Sequence, residues 1–195
     1  RCTGTFLGVW FALILLWAAG EGHRMRYPGR RVSVVLGFLA AAWLADGANS
    51  FVDDLFGVAL YPPSNALRLF TGLGFGLAMG VILYPTWHLA FWRRGEPEQV
   101  LREPVGGFCL LVAALILAGF MLCWASAPYW LWWLTTVASA LATVALLNAA
   151  LLAVTLYSKG FADRLTQVLP HHLAGLLLAL LELTALGALR RWLGF

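Results

Sequence analysis

At 195 residues, 62% hydrophobic and 11% charged, the chain holds more apolar surface than a water-soluble fold of its size can bury, since soluble domains run to about 45–50% apolar and about 25% charged residues. A mean hydropathy of +0.82 makes the bilayer the solvent for most of it. The net charge of +4 sits in short loops between apolar runs, with no aromatic–basic stripe or other nucleic-acid motif, so it argues for membrane orientation and against a nucleic-acid partner.

A spanning helix needs about 20 apolar residues, and six stretches qualify. They are continuous and rich in Leu and Ala, without the period-two alternation of barrel strands. The fold class expected is therefore all-α: a polytopic transmembrane helical bundle of about six spans, forming a single domain over residues 1–195. The first span, 3–20, carries Gly4 and Gly8 and follows Cys2. Its run 5–19 also fits the apolar core of a signal peptide, but a real span is preferred because little precedes it and a strongly basic loop follows. That loop, 21–31 (EGHRMRYPGRR), holds His23 and four arginines.

The second span, 32–52, carries Asp46 and Asn49, with Asp53 just beyond. Their i, i+3, i+7 spacing puts them on one helix face. Asp46 lies about one and a half turns inside the expected boundary, where an ionisable group is costly and turns toward the bundle interior or a water-filled cavity. The 53–65 loop returns the chain to the same side. There Asn65 and Arg68 open the third span, 66–92. Two readings stand: an ion pair of Asp46 or Asp53 with Arg68 closing that end of the bundle, or a pocket built from Asp46, Asn49, Asn65 and Arg68. Further along, Gly72, Gly76 and Gly80 recur every four residues, and small residues at this spacing let helix backbones approach closely in lipid. No strand precedes them, so they are a packing face and not a phosphate loop. Pro85 is expected to kink the helix near its end.

Loop 93–104 (RRGEPEQVLREP) precedes a fourth span at 105–127, which contains Cys109 and Cys123 as small buried hydrophobes. Three cysteines in all give no disulfide framework. The fifth span, 130–157, follows a short turn at Pro128. Loop 158–169 leads to the sixth, 170–189, where Glu182 is a second deep charge: either a site residue joining the Asp46 group or a carboxyl hydrogen-bonded within the bundle. His171 and His172 open this span about 100° apart, a poor arrangement for one metal. No metal motif, catalytic triad or nucleotide loop is present. A metal or haem role for His88 or His171 is a minor reading, so no metal site is expected and no cofactor can be assigned. Trp124, Tyr129, Trp130, Trp132 and Trp133 cluster at one expected interface, and Trp87 and Trp92 at the other, as aromatic belts do.

In a six-span path, loops 21–31, 93–104 and 158–169 share one side with nine Lys and Arg residues, against Arg1, Arg68, Arg190 and Arg191 on the other. The positive-inside rule puts the three basic loops in the cytoplasm and both termini outside.

The opening RCTGTFLG resembles the Cys-Ala-Arg-Cys-Thr-Gly-x-x-x-Gly signature of a prokaryotic membrane family, domain of unknown function 2085. Asp46-Gly47, Ser64-Asn65, Leu67-Arg68, Thr71-Gly72, Gly76 and Gly80 follow in order, so the likeness covers about residues 1–80. It implies a small polytopic protein of a prokaryotic plasma membrane, without an established activity. It also divides the chain into a family-like three-helix part, 1–92, and three further spans over 105–189. Its cysteines precede the start of this chain except for Cys2, which falls at the same expected outer end as Asp46, Asn65 and Arg68.

Three function classes follow. The preferred one is a non-enzymatic binding module or an accessory subunit of a membrane complex, partnered by the lipid bilayer and by other membrane subunits. The second is a small ion or solute transporter, which needs Asp46, Arg68 and Glu182 around a solvated path. The third is a membrane enzyme acting on a lipid or quinone, with a polar site at the outer end and a thiol or metal at Cys2.

Overall fold

The apolar stretches fold as helices in the computed structural model, which describes residues 2–19, 24–101, 128–157 and 160–194, together with positions 113, 116, 117 and 119. In chain order these are α1 (Cys2–Ala18), β1 (Arg24–Arg26), α2 (Arg30–Phe56), α3 (Asn65–Phe91), β2 (Glu96–Gln99), α4 (Tyr129–Leu156) and α5 (Leu165–Trp192). Helices α2, α3, α4 and α5 are each long and apolar enough to cross a membrane, and α1 is a shorter apolar helix of 17 residues. Most of the expected span at 105–127 lies outside the described residues, with Cys109, Cys123 and Trp124. Arg1, His23, Arg102 and Lys159 lie outside them too.

Helix ends follow local chemistry. Gly57 stops α2 in the left-handed region (φ 66°), where a side chain would be strained, and its N–H reaches the Asp53 carbonyl. Ser64 caps α3 by accepting the Leu67 N–H at 3.1 Å. α5 begins five residues before the expected 170 because the Gln167 side chain accepts the N–H groups of Asp163 (2.7 Å) and Arg164 (3.3 Å), satisfying orphan donors of a polar first turn. The helix α3 runs on through Pro85 to Phe91.

α3 is the central element, with half of its apolar window buried. α1 lies parallel to it and backbone to backbone. A Cβ placed on Gly4 would stand 2.5 Å from the Leu69 carbonyl oxygen, one on Gly8 2.5 Å from that of Leu73, and one on Gly80 2.6 Å from the Ala12 methyl. Gly76 lies against the Thr5 carbonyl. Gly72 is buried in the same contact, its carbonyl carbon 3.3 Å from the Cβ position of Gly4. Small residues on both helices therefore replace side-chain interdigitation with direct backbone contact. α2 runs antiparallel to α3, with Trp43 stacked on Phe75 at 4.3 Å between ring centroids. α4 runs parallel to α1: Thr136 donates to Thr3 (2.9 Å), and the Trp10 indole N–H reaches the Ser139 carbonyl and the Thr143 hydroxyl, both at 3.1 Å. α5 packs on α4, its Gly175 against the Ala145 carbonyl. Its other faces carry exposed leucines such as Leu177 and Leu181, as a lipid-facing helix requires.

The charged loops gather at one end. β1 and β2 pair in parallel, Arg24 opposite Glu96 and Arg26 opposite Gln99. Trp92 bridges to Ala162, and Phe161 and Ala162 both donate to the Phe91 carbonyl. Segments 24–31, 93–101 and 160–164 thus form one surface, called the basic end below. Val100 and Leu101 turn inward from it and join the core of Leu16, Val32, Leu73, Leu77 and Val81.

Candidate functional site

At the end opposite the basic loops, Asp46 is 1% exposed. Its Oδ1 accepts the Tyr61 hydroxyl at 3.1 Å and its Oδ2 the Thr71 hydroxyl at 3.0 Å. The antiparallel crossing of α2 and α3 sets Thr71 level with Asp46. Tyr61 arrives from the loop between these helices, which Asn49 staples down. The Asn49 Nδ2 donates to the Tyr61 carbonyl (3.0 Å), and its Oδ1 accepts the Leu60 N–H (2.8 Å). Ser50 turns its hydroxyl back to the Asp46 carbonyl, 3.0 Å away.

Thr71 also lies 3.0 Å from the Leu67 carbonyl and 3.4 Å from that of Arg68. One hydroxyl proton cannot serve three acceptors at once. With Asp46 ionised, the Thr71 proton goes to the carboxylate. With Asp46 neutral, the carboxyl donates to the Thr71 oxygen and the hydroxyl returns to its own helix. The cluster therefore accepts either protonation state without moving a helix.

The structure brings Asp46 and Asn49 together in this network and leaves the other sequence candidates at its margin. Arg68 pairs with neither Asp46 nor Asp53. It is half-buried, with its Nε buried and without a hydrogen-bond partner. The expected ion pair is thus replaced by hydroxyl donors. Asn65 is exposed in the first turn of α3. Cys2 is an exposed free thiol, placed at the same end because Gly4 packs on Leu69. Glu182 lies apart on α5, exposed and accepting from the Asn148 amide of α4 at 3.1 Å. Among the described residues, no three His, Cys, Asp or Glu side chains cluster.

Tyr61, Thr71 and Ser50 were not among the sequence candidates. Thr71 sits beside Gly72, where it reads as part of the packing face, and Tyr61 lies in a loop with no periodic signal. Also unforeseen is the polar face Thr136–Ser139–Thr143 on α4, whose i, i+3, i+7 spacing is the same signal that marked Asp46.

The network and the α1–α3 glycine contact occupy one continuous part of the chain, from Cys2 to Gly80. Residues 1–82 match the family model DUF2085, described as a predicted membrane protein. The DUF2085 match takes in α1, α2 and most of α3, and so contains the whole Asp46 network. Helices α4 and α5, with Glu182, lie beyond it. No curated protein and no solved structure matches the chain.

Proposed function

We propose that the chain is a non-enzymatic membrane component, a binding module built around the α1–α2–α3 unit and inserted with its basic end in the cytoplasm of a prokaryotic cell. One observation carries this reading: the polar groups of the Asp46 network itself, as distinct from the Arg68 Nε at its margin, are partnered within their own chain. Both carboxylate oxygens, both functional atoms of the Asn49 side chain and the Ser50 hydroxyl have intramolecular partners. Such a cluster closes the end of a helical pair: its hydroxyls are spent on a carboxylate that is only 1% exposed, where covalent catalysis needs a nucleophile open to substrate. A transport path through Asp46, Arg68 and Glu182 is disfavoured by the bond from Glu182 to Asn148 on a different helix pair. Bonds from α1 to α4 support all helices acting as one domain, with α4 and α5 as an extension of the family part.

The orientation rests on the gathering of the basic loops at one end together with the positive-inside rule. Single cysteines at Leu60 (94% exposed) and at Arg94, in a background with the native cysteines replaced, test it. In intact cells an impermeant maleimide is expected to label the Leu60 position alone. The functional reading is tested in liposomes reconstituted with the purified protein. Ion and solute flux is expected to equal that of empty liposomes, with or without Asp46→Asn. A protein-dependent flux abolished by Asp46→Asn in a variant that still folds overturns it.

A further inference from the structure

A cavity of about 370 Å³ opens between α1, α3, α4 and the start of α5, on the basic side of the bundle. Its wall includes Trp10, Trp17, Trp87, Trp92 and Leu146, with Tyr84 and His88 as its polar members and His88 Nδ1 3.0 Å from the Tyr84 carbonyl. From Trp10 to Trp17 it follows α1 for seven residues, about 10 Å along the axis. It therefore runs from the interfacial level of Trp17 and Trp92 toward the middle of the membrane. Two of the indole N–H groups at its wall are spent inside the protein: Trp10 donates to Ser139 and Thr143, and Trp87 donates to His172 Nε2 at 3.1 Å. What these indoles present to the cavity is ring surface, which suits hydrocarbon better than a ligand needing donors.

The chain that borders two of the lining residues has the opposite character. Arg93 and Arg94 directly follow Trp92, and Arg164 directly precedes the lining residue Leu165. Arg93 is engaged by Asp163 at 3.5 Å, while Arg94 and Arg164 are exposed. A basic rim over an apolar slot at interfacial depth is complementary to one molecule class: an amphiphile with an anionic head and a hydrocarbon tail. We propose that this cavity seats an acyl chain of an anionic phospholipid, whose phosphate lies against Arg94 and Arg164. The proposal rests on the binding-module reading and names its ligand class. Its site is at the end of the bundle opposite Asp46.

Native mass spectrometry of the protein delipidated in mild detergent tests this, with phosphatidylglycerol or phosphatidylcholine of identical acyl chains added. The wild type is expected to retain phosphatidylglycerol preferentially. Because a basic side chain near an anionic headgroup is worth about fivefold in affinity, Arg94→Gln and Arg164→Gln are each expected to cut that preference about fivefold. Leu146→Phe, which fills the slot from α4, is expected to lower retention of both lipids. Equal retention of the two lipids by the wild type overturns the proposal. So does retention of phosphatidylglycerol that is undiminished by Leu146→Phe in a protein of unchanged helicity, because the lipid then lies on the surface and not in the slot. The arginine variants are exposed and leave the fold intact, so the test does not depend on Leu146→Phe folding. Flux through Asp46 in liposomes sinks the functional reading without changing these lipid ratios, so the two failures are distinguishable.

Discussion

Gly8→Ala is the sharpest test of the α1–α3 contact. The added methyl would stand 2.5 Å from the Leu73 carbonyl oxygen and 3.0 Å from both the Gly76 Cα and the Leu77 nitrogen. All three are backbone atoms, so no side-chain rotation relieves the clash. To restore an ordinary contact near 3.4 Å, the helices must part by about 0.9 Å at this level. A gap of about 0.5–1 Å forfeits a quarter to a half of the dispersion attraction between facing atoms. Those atoms include Val9, Ala12, Leu73 and Leu77, all buried in this seam. Overpacking of this kind costs about 1–3 kcal/mol. The control is Gly37→Ala on α2, where a Cβ meets nothing within 4 Å. There the gain in helix propensity, up to about 1 kcal/mol in water-soluble helices, acts alone. Thermal and denaturant unfolding in one detergent, followed by circular dichroism, should rank Gly8→Ala well below wild type and Gly37→Ala at or above it. Gly76→Ala should be more damaging, because its Cβ would press closer on the Thr5 carbonyl, and the double variant should cost less than the sum, because one separation relieves both clashes. Equal stability of Gly8→Ala and Gly37→Ala would refute direct backbone packing.

Removing one donor to Asp46 by Tyr61→Phe is expected to cost between about 0.5 and 3 kcal/mol, the span from hydrogen bonds to a neutral acceptor to those to a charged one, read from the same unfolding curves. Asn49→Ala leaves the Leu60 N–H and the Tyr61 carbonyl without their partner. It should cost about 1–3 kcal/mol and speed proteolytic cutting in the 57–64 loop, seen by gel and mass spectrometry. Trp10→Phe removes the indole bond between α1 and α4. Interhelical hydrogen bonds in membranes average about 0.6 kcal/mol, so a small loss is expected, and one above about 2 kcal/mol would mean the contact does more than bond.

The sequence made the helices legible where apolar composition alone decides them. α3 and α4 fall within one residue of the stretches 66–92 and 130–157. The ends that shifted most are those set by caps that a hydropathy reading does not register: the start of α5 at Gln167, where a polar first turn looks like loop, and the end of α2, which runs past 52 to its stop at Gly57. The strands β1 and β2 were not legible: three and four residues long, they pair across the two intervening helices, and no local period announces that. Asp46 stood out because burying a carboxyl in lipid is expensive, and the structure buries it. Its partners did not stand out, because charge matching pointed to Arg68. Asp46 lies level with Thr71, about one helical turn deeper than Arg68 on α3. Two hydroxyls at that depth serve it in place of the guanidinium. Glu182 had the same composition signal, but α5 packs on α4, and its carboxyl follows that pairing.

The parallel seating of α1 on α3 has a consequence for biosynthesis. The tightest pair among the described helices joins segments that leave the ribosome at different times, with α2 emerging between them. At about 5–20 residues per second, α1 waits several seconds for its mate. During that interval its glycine stripe faces hydrocarbon, which a bare apolar backbone tolerates because its own helix satisfies every amide. Association then becomes a lateral search in two dimensions, and α2 acts as the tether that keeps the two halves of the seam within reach of each other.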